Sequence, residues 1–157
     1  MQSTYFEGIY MGISEEKAAL RTRYRQERNA RYIEHSFEYL VTSQEFSAAN
    51  IIASYRSYGD EPDTSALNRK IIALGKTLLL PRIDGQTLQW VKWNGKDSSL
   101  TKKKKIEEPL GDAISDLSVI DLIVVPALRI DRKGYRLGQG GGYYDRALIN
   151  IQLSLSV

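Results

Sequence analysis

The sequence lacks cysteine altogether, and its 157 residues include a single histidine, His35. Without cysteine there is no disulfide, no thiolate metal site and no cysteine nucleophile, which fits a reducing compartment. One histidine also excludes a metal site built from several imidazoles. Because His35 falls in a stretch with helical apolar spacing, we expect it on a helix surface or at the edge of the core rather than in catalysis.

A strong charge imbalance and long apolar runs are also missing. There are 22 basic and 19 acidic residues, and the excess of +3 is too small to indicate nucleic acid by itself. No segment approaches the roughly 20 apolar residues of a membrane span. Residues 1–13 lack the basic start and apolar run of a signal peptide. We therefore expect a cytoplasmic protein without membrane or nucleic-acid partners, in which Met11 is the natural start and residues 1–10 are an extension.

Glycine is concentrated near the C-terminal end of the sequence. Four glycines fall within five positions: Gly138, Gly140, Gly141 and Gly142. Arg136 and Arg146 flank them, an apolar segment at 121–126 predicts a preceding strand, and a helix is predicted from about Tyr143. Such glycines let the backbone approach an anion and supply amides at a helix N-terminus, while arginines offer planar donor forks. A tight turn or hairpin is the alternative, but the arginines and the Tyr-Tyr-Asp sequence favour a phosphate-handling loop.

Two common glycine motifs are excluded by single positions. Tyr143 stands where a dinucleotide-binding motif needs its last glycine. Gly75-Lys76-Thr77 resembles the end of a P-loop, but Lys70 occupies the position of the first glycine. We therefore predict that Gly75 simply ends a helix over residues 64–74.

The N-terminal third predicts one long helix over residues 15–42, with Ser14 as its N-cap. Leu20 and Tyr24 are assigned to an apolar face, and the opposite face is predicted to carry basic residues: Lys17, Arg21, Arg25 and Arg28. Lys17 and Arg21 lie one turn apart. They are either part of a solvated surface or a pair that reaches one phosphate group.

The remaining segments alternate between strand and helix patterns. Strands are predicted at 51–55, 78–81, 88–93 and 121–126, with a loop at 56–64, a hairpin turn at Asp84-Gly85 and a solvated lysine loop at 102–105. This alternation predicts a single α/β domain over residues 1–157, with a largely parallel open sheet flanked by helices (Rossmann-like) and an antiparallel hairpin. Ligands in such sheets bind beyond the carboxyl ends of the strands.

Two tryptophans of the predicted hairpin lie on opposite faces of their strand. The side chain of Trp90 is predicted on one face of the strand and those of Val91 and Trp93 on the other, since side chains alternate along a strand. Either one tryptophan lines a cavity while the other packs, or both are structural.

Four segments, in this order, resemble the 5-formyltetrahydrofolate cyclo-ligase (methenyltetrahydrofolate synthetase) family. They are Lys17-Ala-Ala-Leu-Arg21, the acidic loop Gly59–Thr64, Leu79–Arg82 with Leu88–Trp93, and Asp121–Pro126 with Asp131–Arg146. The last segment contains Gly-Tyr-Arg-Leu-Gly-Gln-Gly-Gly-Gly-Tyr-Tyr-Asp-Arg and is the most specific.

The resemblance implies an ATP-dependent ligase that converts 5-formyltetrahydrofolate to 5,10-methenyltetrahydrofolate, releasing ADP and phosphate and requiring Mg²⁺. It implies that the ATP-binding residues are Lys17, Arg21, Arg136, Gly138, Gly140, Gly141, Gly142, Tyr143 and Asp145, with Asp145 facing the metal. The implied folate-binding residues are Glu61, Trp90, Trp93, Tyr143 and Tyr144. Arg136 and Tyr144 are the implied catalytic residues.

The C-terminal end departs from the family pattern. Family members continue past the Tyr-Tyr-Asp-Arg helix through further strands and a second carboxylate near the metal, whereas this sequence stops at Val157. Residues 151–157 alternate as a strand would. We expect a C-terminally short member, monomeric or weakly dimeric. The alternative is a truncated, catalytically impaired member that binds nucleotide or folate. A nucleic-acid-binding module using Lys102–Lys105 is less favoured, because the net charge is small and no reading motif is present.

Overall fold

The computed structural model describes residues 3–31 and 37–155, and the side-chain environments of residues 13–31 and 37–151. The chain divides into two compact units. The first, the helical unit, contains residues 1–33 and 127–141. The second, the sheet unit, contains residues 34–126 and 142–157. The expectation of a single domain over residues 1–157 stays a prediction.

The helices, in chain order, are α1 Ser3–Ala30, α2 Glu38–Val41, α3 Gln44–Ala48, α4 Ser65–Ala73 and α5 Tyr143–Leu155. The strands are β1 Ile51–Ala53, β2 Thr77–Asp84, β3 Thr87–Trp93, β4 Leu100–Lys103, β5 Ile106–Pro109, β6 Leu122–Ile123, β7 Arg129–Ile130 and β8 Arg136–Leu137. None of the helices in residues 3–31 and 37–155 combines the length and the apolar character needed to cross a bilayer.

The sheet unit contains a four-stranded sheet in the order β3-β2-β1-β6. β1 pairs in parallel with both β2 and β6, while β2 and β3 form an antiparallel hairpin. Gly85 closes this hairpin with a φ of +59°, a conformation that glycine adopts without steric cost. The predicted fold class, α/β with a largely parallel sheet and one antiparallel hairpin, is confirmed.

Both faces of the sheet are covered because the side chains of its strands alternate between two apolar clusters. The first cluster combines strand residues with Ala49 and residues of α3 and α4: Phe46, Ala49, Ile52, Leu67, Ile71, Leu78, Leu80 and Trp93. The second combines strand residues with Ile120 and residues of α5: Ala53, Leu79, Trp90, Ile120, Ala147 and Ile151. Consecutive β2 residues therefore face opposite layers, which fixes the register of the strand.

The strand predicted at 121–126 is shorter than expected. β6 covers only Leu122–Ile123, and both residues are half-buried because the strand lies at the edge of the sheet. Leu122 packs against the first cluster and Ile123 against the second. The strand therefore makes apolar contacts on both faces, while its edge position leaves both residues partly exposed.

Lys102–Lys105, predicted as a solvated loop, instead belong to the β4–β5 hairpin. Leu100 pairs with Pro109, and Leu100 also packs against the first cluster, so the base of the hairpin is anchored by apolar contact. Lys102–Lys105 are exposed, and Lys104 turns the chain with a φ of +60°. The lysine block occupies the tip of a hairpin, where charge is tolerated.

The helix predicted at 64–74 spans Ser65–Ala73, and Gly75 follows it with a φ of +74°. The prediction that Gly75 ends this helix is confirmed. Thr64 occupies the N-cap position, but its hydroxyl donates to the carbonyl of Tyr55. Asp63 accepts the Ser65 N–H at 2.9 Å instead, so the preceding aspartate caps the helix.

The long N-terminal helix differs from its prediction at both ends. α1 begins at Ser3 and ends at Ala30, so Ser14 lies inside the helix and is not its N-cap. Residues 38–48 form two short helices, α2 and α3, and the Ser43 hydroxyl caps α3 by accepting the Phe46 N–H at 3.2 Å. His35 lies outside the described residues.

A small β7–β8 hairpin in the helical unit precedes the glycine-rich segment. A turn at 131–134 closes it: the Asp131 carboxylate accepts the N–H groups of Lys133 and Tyr135 at 2.8 and 2.9 Å. The predicted start of the last helix at Tyr143 is confirmed. This helix continues to Leu155, so the strand suggested by the alternation of residues 151–157 is wrong as far as residue 155.

Candidate functional site

In the helical unit, three arginines of α1 hold segment 127–141 by its backbone carbonyls. Arg21 Nε donates to Gly138 O at 3.0 Å, and Arg25 Nη2 donates to Gln139 O at 3.0 Å. Arg28 Nη2 donates to Ala127 O at 2.6 Å and to Leu128 O at 3.1 Å. These arginines are not simply a solvated helix surface, because they make the contacts that shape the segment.

The assignment of Tyr24 to the face opposite these arginines is wrong. With 3.6 residues per turn, Tyr24 lies close to Arg21 and Arg28 around the helix axis. The guanidinium carbon of Arg129, on β7, stands 5.2 Å from the centroid of the Tyr24 ring. The same side of α1 therefore presents an aromatic ring and guanidinium groups to the same segment.

Arg21 and Arg136 converge on the first half of the glycine-rich segment. A Cβ built on Gly140 would lie 3.5 Å from Arg21 Nε, and one built on Gly138 would lie 2.8 Å from Arg136 Nη1. Gly140 also has a φ of +113°. Lys17, exposed one helical turn before Arg21, lies on the same side of α1. Glycine leaves room for guanidinium groups beside the backbone here, which concentrates positive charge at the segment, a setting suited to phosphate.

In the sheet unit, Gly142 stands directly before α5 and is packed by Arg146. Gly142 has a φ of +68°, and a Cβ on it would lie 2.7 Å from Arg146 Nη1. Arg146 Nε donates to Gln86 O in the β2–β3 turn at 2.7 Å, and its guanidinium lies 5.2 Å from the Tyr143 ring centroid. Arg146, which the sequence suggested as a phosphate donor, thus contacts the hairpin turn and Tyr143.

Tyr144 and the two tryptophans have different surroundings. The Tyr144 ring meets Trp90 edge-on, with centroids 6.4 Å apart. Trp90 is 1% exposed in the second cluster, and its Nε1 has no hydrogen-bond partner among the described residues. Trp93 is 4% exposed in the first cluster, and its Nε1 donates to Lys96 O. The two rings face opposite sides of the sheet, as predicted, and both are packed. Their contact with folate stays a prediction.

Glu61 lies in a tight turn of the loop between β1 and α4. The Glu61 N–H donates to Tyr58 O at 3.3 Å, and the Glu61 carboxylate accepts the Tyr58 N–H at 3.2 Å. Gly59 supports this turn with a φ of +60°. The carboxylate is therefore held by the backbone of its own loop.

Asp63 anchors the far end of the same loop. Hydrogen bonds from the Ser65 hydroxyl, then the Ser65 N–H, hold the pKa of Asp63 below its usual range, and the Ser57 hydroxyl contributes a smaller effect in the same direction. Each of these donors favours the ionised carboxylate. The charged form of Asp63 is thus part of the loop structure.

Arg56, at the start of this loop, was missed by sequence reasoning. Its guanidinium donates to Glu107 on β5 and stacks on Trp93. Since these partners are 51 and 37 positions away, no local spacing pattern could have indicated the contacts. To predict these contacts, one would have to know which strands are neighbours in the fold.

A divalent metal ion would find few clustered carboxylate ligands in the described part of the chain. Among the residues described, no group of three or more histidine, cysteine, aspartate or glutamate side chains is placed to hold a metal. Asp145 is an exposed carboxylate in the first turn of α5. Mg²⁺ commonly uses one or two carboxylates together with substrate phosphates, so Asp145 suits a site that is completed by a nucleotide.

The structure divides the predicted site residues between the two units. Those of the helical unit are Lys17, Arg21, Arg136, Gly138, Gly140 and Gly141. Those of the sheet unit are Glu61, Trp90, Trp93, Gly142, Tyr143, Tyr144 and Asp145. Within the first group, Arg21 and Arg136 meet at the glycines, and within the second, Tyr144 meets Trp90.

Fold and local chemistry place the chain among α/β proteins that present a glycine-rich segment, flanked by arginines, at the start of a helix. Residues 13–155 match the sequence profile of the 5-formyltetrahydrofolate cyclo-ligase family. Because this match covers most of the chain, the chain belongs to the 5-formyltetrahydrofolate cyclo-ligase family.

Named relatives agree with this assignment. The 5-formyltetrahydrofolate cyclo-ligase of Escherichia coli (strain K12) is 32% identical over 109 residues, covering 66% of this chain and 60% of that protein. The enzyme of the same name from Mycolicibacterium smegmatis is 35% identical over 105 residues, covering 62% of this chain and 54% of its own length. The chain therefore spans less than two thirds of these relatives.

A solved structure resembles the fold. It is the 5,10-methenyltetrahydrofolate synthetase of Aquifex aeolicus, which superposes with a TM-score of 0.69 at 28% sequence identity. The match covers 87% of this chain and 73% of that one.

Proposed function

We propose that this chain catalyses the ATP- and Mg²⁺-dependent cyclisation of 5-formyltetrahydrofolate to 5,10-methenyltetrahydrofolate, releasing ADP and phosphate. The observation that carries the proposal is the convergence of Arg21 and Arg136 on Gly138 and Gly140, in a chain whose residues 13–155 match the cyclo-ligase family. A cytoplasmic location and a monomeric or weakly dimeric state complete the proposal.

The phosphates of ATP are assigned to the helical unit. Arg21 and Arg136 bring two guanidinium groups to a glycine segment, and guanidinium forks match phosphate oxygens in geometry and charge. Lys17 adds a third cation one turn away. Gly138, Gly140 and Gly141 contribute backbone amides at positions that carry no Cβ. Arg136 is the residue we assign to charge neutralisation during transfer of the phosphoryl group.

The start of α5 is assigned to both ligands. Gly142 and Tyr143 lie at the helix N-terminus, where amides and the helix dipole favour an anion. Asp145 would hold Mg²⁺ through a carboxylate oxygen. When bound, Mg²⁺ would neutralise charge on the nucleotide phosphates.

Folate recognition is assigned to residues of the sheet unit. Tyr143 and Tyr144 carry aromatic rings suited to a flat pterin, and Tyr144 is held edge-on by the buried Trp90 ring. Glu61 offers a carboxylate that can accept hydrogen bonds from N–H groups of the pterin. Because Trp90 and Trp93 are almost fully buried, we assign them to the support of their neighbours as well as to the folate-binding region.

The protein itself takes little covalent part in this reaction. The formyl oxygen on N5 takes the γ-phosphoryl group of ATP, so an O–P bond forms while the bond to the leaving ADP breaks. The N10 lone pair then attacks the activated formyl carbon, N10 loses its proton, and the C–O bond breaks with departure of phosphate. Positioning and charge neutralisation dominate such a reaction, which suits a chain without cysteine.

The proposal is tested by mixing the chain with 5-formyltetrahydrofolate, with and without Mg·ATP, and following methenyltetrahydrofolate by its near-ultraviolet absorbance. We expect product only when ATP is present, with one ADP formed for each product molecule. Omission of ATP and replacement of ATP by a non-hydrolysable analogue are the controls.

Absence of product under these conditions would overturn the proposed turnover. Calorimetric titration with ATP and with 5-formyltetrahydrofolate would then decide whether the chain is instead a catalytically impaired binding module.

A further inference from the structure

Arg56 connects the loop that follows β1 to two strands of the sheet unit. Its Nε and Nη2 both donate to Oε2 of Glu107, at 3.0 and 2.5 Å. The guanidinium also lies over the Trp93 ring, 5.4 Å from the centroid. With 21% of its side chain exposed, Arg56 is enclosed by these partners rather than extended into solvent.

The partners of Arg56 are themselves fixed. Trp93 is 4% exposed within the first apolar cluster, and its Nε1 donates to Lys96 O at 3.1 Å. Glu107 lies on β5 and is paired in register with Lys102 on β4. A second acidic group, Asp97, reaches Arg56 Nη2 at 4.0 Å. The guanidinium therefore lies between a buried ring and a carboxylate on a paired strand.

The loop that begins with Arg56 carries Glu61. After Arg56 the backbone enters the Tyr58–Glu61 turn, in which the Glu61 carboxylate accepts the Tyr58 N–H. At the other end of the loop, the Thr64 hydroxyl and Asn68 Nδ2 both donate to Tyr55 O. Thr64 and Asn68 thus hold the exit of the loop, while Arg56 holds its entrance.

We propose that Arg56 is a positioning residue for folate binding, which acts by fixing the loop that presents Glu61. This inference rests on the proposed function. Arginine is required rather than any cation, because a planar guanidinium can donate to Glu107 and stack on Trp93 at the same time, which an ammonium group cannot.

The inference separates the roles of the two tryptophans. Trp93 would contribute to folate binding indirectly, as the surface on which Arg56 rests. Trp90 lies in the other apolar cluster, beside Tyr144. Loss of the Arg56 contacts should therefore change folate binding and leave ATP binding unchanged.

The experiment measures separate KM values for 5-formyltetrahydrofolate and ATP in Arg56→Lys and Arg56→Met. We expect the folate KM to rise roughly tenfold in both variants, since a charge-assisted hydrogen bond and a stacking contact are lost. The ATP KM should stay within about twofold of the parent value. Arg23→Ala is the matched control, because Arg23 forms an exposed ion pair with Glu27 and should leave both KM values unchanged.

A double mutant distinguishes positioning from general stabilisation. If Arg56 acts through Glu61, adding Arg56→Lys to Glu61→Gln should raise the folate KM by less than about twofold beyond Glu61→Gln alone. A full further tenfold increase would overturn the inference. So would an unchanged folate KM in both single variants, or equal rises in the KM values for folate and ATP.

The inference and the proposed function fail in different ways. If the parent chain turns over and the Arg56 variants keep its folate KM, the inference alone is wrong. If the parent binds 5-formyltetrahydrofolate without turnover, the same comparison is made with calorimetric Kd values and the same tenfold criterion. If the parent neither turns over nor binds folate, both are overturned.

Discussion

In the sheet unit, strands and helices are held by apolar side chains buried in two clusters, whereas in the helical unit three arginines of α1 donate to backbone carbonyls of segment 127–141. Buried apolar contacts have no better partner in solution, so they persist whatever the protein binds. A guanidinium that donates to a carbonyl can instead donate to a phosphate oxygen, which accepts the same hydrogen bond and adds charge.

This difference separates the apolar residues that stabilise the sheet unit from the arginines assigned to phosphate binding. The residues with the largest contribution to folding are buried in the sheet unit. Of the residues that we assign to phosphate binding, Arg21 donates to a backbone carbonyl of the helical unit, and Arg136 lies beside Gly138. Substitutions in the apolar clusters and substitutions at these arginines should therefore affect different measurements.

The largest expected effect is on stability in the sheet unit. Leu80 is fully buried in the first cluster, and Leu80→Ala should lower the free energy of unfolding by about 2–5 kcal/mol. Urea unfolding followed by tryptophan fluorescence reports this directly, because both tryptophans lie on β3. Leu110→Ala, at a leucine that is 53% exposed, is the control. A loss below about 1 kcal/mol at Leu80 would contradict the role of the cluster.

Arg136→Ala should produce the reverse result, a large loss of activity with little loss of stability. Removal of one phosphate donor should lower kcat/KM for ATP by roughly 100-fold, while the Tm stays within a few degrees of the parent. Arg132→Ala, at the exposed turn of the same hairpin, is the matched control. Unchanged dependence of the rate on ATP would remove Arg136 from the phosphate assignment.

Arg28→Ala tests how the helical unit is held. Loss of its hydrogen bonds to Ala127 O and Leu128 O should cost about 1–2 kcal/mol of local stability. Hydrogen exchange of residues 127–130 should speed up by roughly tenfold, and that of β2 should not change. Arg23→Ala, on the same helix, is the control. Equal acceleration in β2 would mean that the two units unfold together and that the comparison does not hold.

The smallest effect concerns pH and Asp63. Because the pKa of Asp63 is lowered in the folded chain, its contribution to stability is present above the unfolded value of about 3.9 and is lost as the pH falls through the folded value. Asp63→Asn keeps the acceptor oxygen but cannot titrate. Its urea midpoint should therefore fall less steeply below about pH 4 than that of the parent.

The size of this difference should be less than about 1 kcal/mol, since Asp63 is exposed to solvent. Asp112→Asn, at another exposed aspartate, is measured in parallel. If the urea midpoints of the parent and of Asp63→Asn fell identically with decreasing pH, the Ser65 and Ser57 hydrogen bonds would not favour the ionised form.

Several parts of the fold could be predicted because their signals are local. Asp84-Gly85 indicated the β2–β3 hairpin, Gly75 indicated the end of α4, and the glycine cluster before Tyr143 indicated the start of α5. Each of these depends on backbone conformations that few residue types adopt, so sequence and structure agree to within a residue or two.

The errors had both local and distant causes. Ser14 has the chemistry of an N-cap, but α1 begins earlier, at Ser3. The lysine block at 102–105 reads as a solvated loop, yet Leu100 anchors it as a hairpin against the first cluster. Tyr24 was assigned to the wrong face through a local error, since 3.6 residues per turn already place it on the side of Arg21 and Arg28.

The sequence by itself determined the fold class, the glycine-rich segment and the residue types suited to phosphate, because these follow from composition, periodicity and backbone freedom. The tertiary structure alone decided the contacts of each arginine. Arg21 and Arg136 meet at glycines. Arg146 contacts the β2–β3 turn, and Arg56 lies over the Trp93 ring. An arginine side chain is long and accepts many partners, so its role depends on which carbonyls, carboxylates and rings the fold brings within its reach.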